Sequence, residues 1–269
     1  MLDDAGKRVA IALGAGVATG AAAGLVGVGG GEFRLPVLLY LFGSQLRTAA
    51  GVNLVVGLFT VVLSLLRRWP HQIWSSDDAV LAGVLVASSL AGAVAGARGA
   101  ARLATPLLRK LVASYLFVVG VWMIVEAIAR ADRTFLEPEG LTRLLLAAVI
   151  GWTIAVASAA MGVAGGEMRI PALMYLFGVS IRSAGTISLL VSIPTLAAGA
   201  LTYRRLGHVP NGALPVALAM ATGSLAGVWL GVALLPQVDS HTLKAVLGGV
   251  LVLATLGIVR AGAALDTRA

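Results

Sequence analysis

The chain has 269 residues, of which 59% are apolar and 12% charged, with a mean hydropathy of +0.96. A soluble protein carries charge on roughly 25% of its residues, so this chain lacks the polar groups to cover itself in water, and it is far too apolar to be disordered. With no Cys, disulfides, thiolate metal sites and cysteine catalysis are excluded.

The net charge of +8 comes from 17 Arg and 3 Lys, mostly at the ends of apolar runs, where positive-inside flanks belong. Pairs such as Arg67-Arg68 and Arg204-Arg205 are too short and scattered to line a nucleic-acid groove, so no nucleic acid is expected as a partner. A bilayer core about 30 Å thick needs roughly 20 apolar residues at 1.5 Å each. Runs of that kind fall near 9–28, 48–66, 79–97, 111–129, 144–164, 184–203, 212–235 and 243–262. Two shorter stretches, 33–43 and 168–178, cannot cross as ordinary helices and read as interrupted or re-entrant. The expected fold class is all-α: a polytopic membrane protein of about eight transmembrane helices plus the two short segments. Lys7-Arg8 before the first run suggests a signal peptide, but that run has a full counterpart later in the chain, where no signal could sit. The first helix is expected to be structural.

Residues 27–47, GVGGGEFRLPVLLYLFGSQLR, and residues 162–182, GVAGGEMRIPALMYLFGVSIR, agree at 13 of 21 positions at a constant offset of 135. The offset also relates Ser89–Gly92 to Ser224–Gly227, Gly96 to Gly231 and Gly16 to Gly151. The chain is therefore an internal duplication: a first repeat over 1–130, a polar linker over 131–143 and a second repeat over 144–269. If the short segments dip and return, the repeats are parallel with four crossings each. If each completes a crossing, they are inverted with five. Lys and Arg, leaving out Arg34 and Arg169, divide 11 to 7 between the two sides under either scheme, which puts both termini in the cytoplasm. Gly92-x-x-x-Gly96, Gly227-x-x-x-Gly231 and Gly16-x-x-x-Gly20-x-x-x-Gly24 predict close helix packing, within one chain in preference to a homodimer. Pro194 predicts a kink that the first repeat, with Phe59 there, lacks.

The repeated motif is a glycine run, then Glu-x-Arg-x-Pro, then a short apolar helix. It comprises Gly29, Gly30, Gly31, Glu32, Arg34 and Pro36 in one half, and Gly165, Gly166, Glu167, Arg169 and Pro171 in the other. Successive glycines break a helix, and proline fits the first turn of a new one, so Pro36 and Pro171 mark the expected restart. A helix starting inside the membrane offers unpaired N–H groups to an anion, and a guanidinium beside it binds oxyanions in a fork that Lys cannot copy. A nucleotide loop is not read from Gly27–Gly31, because Glu32 takes the last glycine place and no βαβ unit surrounds it.

The sequence has only five Glu, and two sit at matched motif positions. Four charges facing lipid would cost on the order of 10 kcal/mol, so Glu32, Arg34, Glu167 and Arg169 must face one another, water or a ligand. As structural ion pairs they would hold two loops together. As functional groups, the arginines attract an anion and a Glu carries a coupling proton. Asn53, Thr186 and Ser188, polar positions in the helices after the motifs, are candidates to line the pathway, although helix-to-helix hydrogen bonds explain them too. His71, His208 and His241 read as loop or unmatched histidines, and Glu126 as a side chain snorkelling to water. No metal site or cofactor is expected.

A duplicated G-x-G-G-G-x-x-x-x-P, at Gly27–Pro36 and, with Ala164 for one glycine, at Gly162–Pro171, resembles the sulfite exporter TauE/SafE family, also called the toluene sulfonate uptake permeases. The resemblance implies an all-helical transporter of a prokaryotic cytoplasmic membrane, with small sulfur-containing anions as substrates. The functional expectation is a permease for sulfite, a sulfonate or a related acid, bound by Arg34, Arg169 and backbone amides where the motif loops meet, with Glu32 or Glu167 as proton carriers. An anion channel is the runner-up. A membrane-embedded enzyme is further off, since no His or Asp is placed for catalysis.

Overall fold

The computed structural model describes residues 2–41, 46–71, 76–99, 106–131, 133–209 and 211–266. Ten α-helices account for most of them, and no strand occurs among the described residues. The first half holds α1 (Leu2–Val26), α2 (Gly31–Leu41), α3 (Leu46–Arg68), α4 (Ser76–Arg98) and α5 (Pro106–Ala129). The second holds α6 (Gly140–Met161), α7 (Gly166–Phe177), α8 (Ile181–Arg205), α9 (Leu214–Leu234) and α10 (Ser240–Asp266). Eight are long and apolar enough to span a membrane; α2 and α7 are the short segments. At 11 residues, α2 rises only about 16 Å, half a bilayer core.

Helix directions settle the repeat orientation. Arg68, at the end of α3, meets Arg182 at the start of α8, while Leu54 near the start of α3 meets Gly199 far along α8. These repeat mates are antiparallel. So are α5 and α10, where Ala113 meets Thr255, Gly120 meets Gly248 and Glu126 meets Lys244. Equivalent helices running opposite ways make the repeats inverted. Across the halves, α1 lies parallel to α9, with Gly16 at Met220, Gly20 at Ser224 and Gly24 at Val228. In the symmetric pair, Gly92 of α4 lies at Trp152 and Gly96 at Val156 of α6. A β-carbon on Gly227 would collide with the Val17 carbonyl. The small-residue faces thus bring backbones of one chain together, and dispersion between them replaces the hydrophobic drive that lipid cannot supply.

Within each half the first two helices form a hairpin. Gly30 lies against Thr19, and Leu38 and Leu41 of α2 share a core cluster with Ala12, so α2 runs back along α1. The first tip reaches Val61, towards the end of α3, and the second reaches Ala50, towards its start. Entering from opposite sides, the tips overlap past the middle. The inner helices α3 and α8 are the most buried spans. The outer ones present Phe117, Val118, Ile128, Leu141 and Trp152 outwards, as lipid-facing surface requires.

The restart differs from expectation. α7 begins at Gly166, and Pro171 sits inside it rather than in its first turn. Pro36 likewise falls within α2. The break is made by the preceding glycines, so the prolines are not the helix breakers. Pro194 lies within α8, which runs through it without interruption.

Candidate functional site

Both tips are built from left-handed glycines. Gly27, Gly29 and Gly30 have φ of 94°, 70° and 68°, and Gly162 and Gly165 have 74° each. Other residues adopt this conformation only under strain, which explains the glycine run. The tips touch. A β-carbon built on Gly29 would sit 3.1 Å from the Ala164 Cβ, and one on Gly166 would sit 3.1 Å from the Val28 Cα.

On this crossing lie two fully buried guanidiniums, Arg34 and Arg169, each at 0% exposure. Arg34 donates from Nε to Asn53 Oδ1 (3.1 Å), from Nη1 to Thr60 Oγ1 (3.2 Å) and from Nη2 to the Gly29 carbonyl (2.6 Å). Asn53 completes a clamp. Its Nδ2 donates to the Gly31 carbonyl at 3.0 Å and to Gly162 of the opposite tip at 2.8 Å. The Glu32 side chain, expected beside Arg34, lies outside the described residues, as does that of Pro36.

The second half repeats the plan with fewer bonds. Arg169 donates from Nη1 to the Ser188 carbonyl and to Ser192 Oγ, both at 3.0 Å, and from Nη2 to the Ala164 carbonyl at 3.4 Å. Its Nε finds no acceptor, and neither does the buried Ser188 hydroxyl find a partner. Ser188 replaces Asn53 and is too short to close the bond its mate makes. Glu167 is fully buried with Arg169 as an electrostatic neighbour. Thr186 directs its hydroxyl to the Arg182 carbonyl of its own helix, so no bond joins it to this group.

Sequence reasoning missed Thr60 and Ser192, whose signal was helical spacing: they lie seven and four residues beyond Asn53 and Ser188, on the same helix face. It also misread Glu126. That carboxylate is 3% exposed, 3.4 Å from Lys244 Nζ, and accepts from Tyr175 Oη at 2.6 Å and the Arg133 amide at 2.7 Å. Burial is tolerated because a cation and two hydrogen-bond donors surround the carboxylate and replace its water. His208 lies in the loop after α8, edge-on to Tyr203. Partial burial, then Arg47, push its pKa below 6.5. The side chain of His71 lies outside the described residues, and no cluster of metal-ligating side chains occurs among the described ones.

The arrangement is a buried interior with two opposed half-sites, each a glycine-edged helix start beside a guanidinium. Such a site suits oxyanion binding far better than bond-making chemistry. A curated relative, the "Probable membrane transporter protein YdhB" of Bacillus subtilis (strain 168), is 24% identical over 208 residues, covering 77% of this chain and 82% of its own. No solved structure matches. The "Sulfite exporter TauE/SafE" family matches residues 12–258, and with that extent the chain belongs to this family of multi-pass membrane transporters.

Proposed function

We propose that the chain is a secondary transporter for a small oxyanion, such as sulfite, a sulfonate or a related organosulfur acid, held between the two hairpin tips. The observation that carries the reading is the pair of repeat-related, fully buried guanidiniums Arg34 and Arg169. Positive charge sealed in a membrane interior is costly unless it serves a counter-charge. The two arginines have unequal roles. Arg34 is committed to Asn53, Thr60 and Gly29 and so steadies Asn53, whose amide bridges the tips. Arg169, whose Nε is unpartnered and whose Nη1 reaches the carbonyl of Ser188, a residue with an equally unpartnered hydroxyl, binds the anion together with the Gly165–Gly166 backbone. Gly29–Gly31 close the seat from the opposite tip, and Thr186 lies two residues before Ser188 on α8. Glu167, beside Arg169, and Glu32 in the first half carry the coupling proton. An anion lost from Arg169 favours ionised Glu167, and a bound anion favours the protonated form.

The test is sulfite flux in proteoliposomes. Arg169→Gln abolishes uptake, and Arg169→Lys restores little of it. Glu167→Gln harms proton-driven uptake more than exchange of labelled substrate. Wild-type flux in both Arg34→Gln and Arg169→Gln refutes the seat between the tips. Flux that neither saturates nor shows counterflow identifies a channel.

A further inference from the structure

We infer that Arg68 and Arg182 form a separate oxyanion-binding station at the end of the molecule opposite the chain termini. Its recognition chemistry is that of a small dianion or monoanion with several oxygens, free in solution. This site lies outside the seat between the tips and does not depend on it.

Arg68, the last residue of α3, is fully buried. Only its Nη2 has a hydrogen bond, to the Arg182 carbonyl at 3.1 Å, while Nε and Nη1 have no acceptor. Three N–H donors of one guanidinium are therefore buried without a partner. The charged group that acts on it is a second guanidinium, Arg182, whose Nη2 donates to the Val238 carbonyl at 2.6 Å. Two like charges repel here, and Arg68 pays a burial penalty that no carboxylate among the described residues offsets. An anion bridging them removes both costs. Arg182 is partly exposed, so the corner opens to that face. The guanidinium of Arg68 lies along the backbone of α8, where a β-carbon on Gly185 would stand 3.0 Å from Nη1.

The internal repeat argues that this cation is not demanded by the fold. At the offset of 135, Arg68 corresponds to Tyr203, Gly185 to Ala50 and Arg182 to Arg47. At the terminal end, Tyr203 fills the equivalent position, buried, with its hydroxyl donating to the Ala159 carbonyl. The same helix pair thus closes at one end with a phenol and at the other with an arginine whose donors go unused. The glycine at 185 leaves the space that the arginine occupies.

The experiment uses the full chain in detergent, with sodium sulfite against sodium chloride at matched ionic strength, and then oriented proteoliposomes. Arg68→Gln melts higher than wild type without sulfite, because an uncompensated buried charge is gone, and its stabilisation by sulfite shrinks. Arg169→Gln keeps a sulfite response that the Arg68→Gln/Arg169→Gln double variant loses. In vesicles, Arg68→Gln raises KM about tenfold on the face opposite the termini, the loss of roughly one charge-assisted bond, and leaves the terminal face unchanged. Lower melting of Arg68→Gln with an undiminished sulfite response overturns the station and makes Arg68 structural; so does a wild-type protein with no sulfite response. Intact flux in Arg34→Gln and Arg169→Gln alongside a lost response in Arg68→Gln removes the seat between the tips and leaves the station standing.

Discussion

Ser188→Asn tests the unequal halves directly. In the first half, Asn53 accepts from Arg34 Nε at 3.1 Å and donates to the Gly31 and Gly162 carbonyls. In the second half, Arg169 Nε and Ser188 Oγ stand buried and unmatched. Asparagine at 188 supplies the acceptor, and its amide faces the Gly166 and Gly27 carbonyls, the repeat mates of those Asn53 holds. A β-carbon on Gly31 would be 3.2 Å from the Asn53 amide, and one on Gly166 would be 3.0 Å from Ser188 Oγ, so a glycine faces both positions. A hydrogen bond to a charged group contributes about 1.5–3 kcal/mol, and bonds between membrane helices average about 0.6 kcal/mol. A gain of about 1–2 kcal/mol follows, or roughly 3–6 °C in melting temperature for a chain of this size. Because the donor of Arg169 is then occupied by protein, sulfite uptake falls. Thermal unfolding in detergent and flux in proteoliposomes are measured on the same preparation. A lower melting temperature, or a higher one with unchanged uptake, refutes the argument that an unfilled donor at Arg169 is what the anion uses.

Gly227→Leu places a side chain on the Val17 carbonyl of α1; even one added methyl in such a contact costs about 1–3 kcal/mol, so folded, monodisperse yield drops sharply. Gly83→Leu is the control, since nothing lies within 4 Å of its β-carbon position, and equal yields of the two would contradict the packing. Lys244→Met strands the buried Glu126 charge and destabilises by about 3–5 kcal/mol. Adding Glu126→Gln recovers much of that loss in a double-mutant cycle, and simple additivity would show that the pair is not coupled.

Hydropathy and the offset of 135 were enough to place every span and both short segments, because lipid forces the backbone into apolar helices of fixed minimum length. Repeat orientation was not legible. The 11-to-7 division of cations is the same for both schemes, whereas the antiparallel meeting of Arg68 with Arg182 decides it. Glu126 was misread because its partner, Lys244, lies more than a hundred residues away, and sequence position near a helix end mimics snorkelling. The break at the glycines was readable from composition. The placing of Pro36 and Pro171 was not, since helices starting at Gly31 and Gly166 use glycines where a proline was expected. Arg34 and Arg169 stood out as charges in apolar surroundings. Their different bonding turns on Asn53 against Ser188, a contrast visible in the aligned repeats whose consequence depends on side-chain reach.

An inverted repeat with identical halves would place two conformers, one open to each face, at equal energy, since exchanging the halves' conformations turns one into the other. Here Asn53 ties the first hairpin to the second through the Gly162 carbonyl, and Ser188 makes no matching bond. A difference of about 1–2 kcal/mol between the half-sites biases the two conformers by roughly five- to thirtyfold. The double variant Asn53→Ser/Ser188→Asn moves the clamp to the other half without changing composition, so it should reverse that bias. The wild-type chain has no Cys, so a single cysteine introduced near either hairpin tip reports access to a membrane-impermeant maleimide without background. The expected result is labelling from the opposite face in the swapped variant, with Ser188→Asn alone, clamped on both sides, labelled slowly from each. The same labelling pattern in wild type and swap would show that the Asn53 clamp holds the loops together without choosing which way the protein opens.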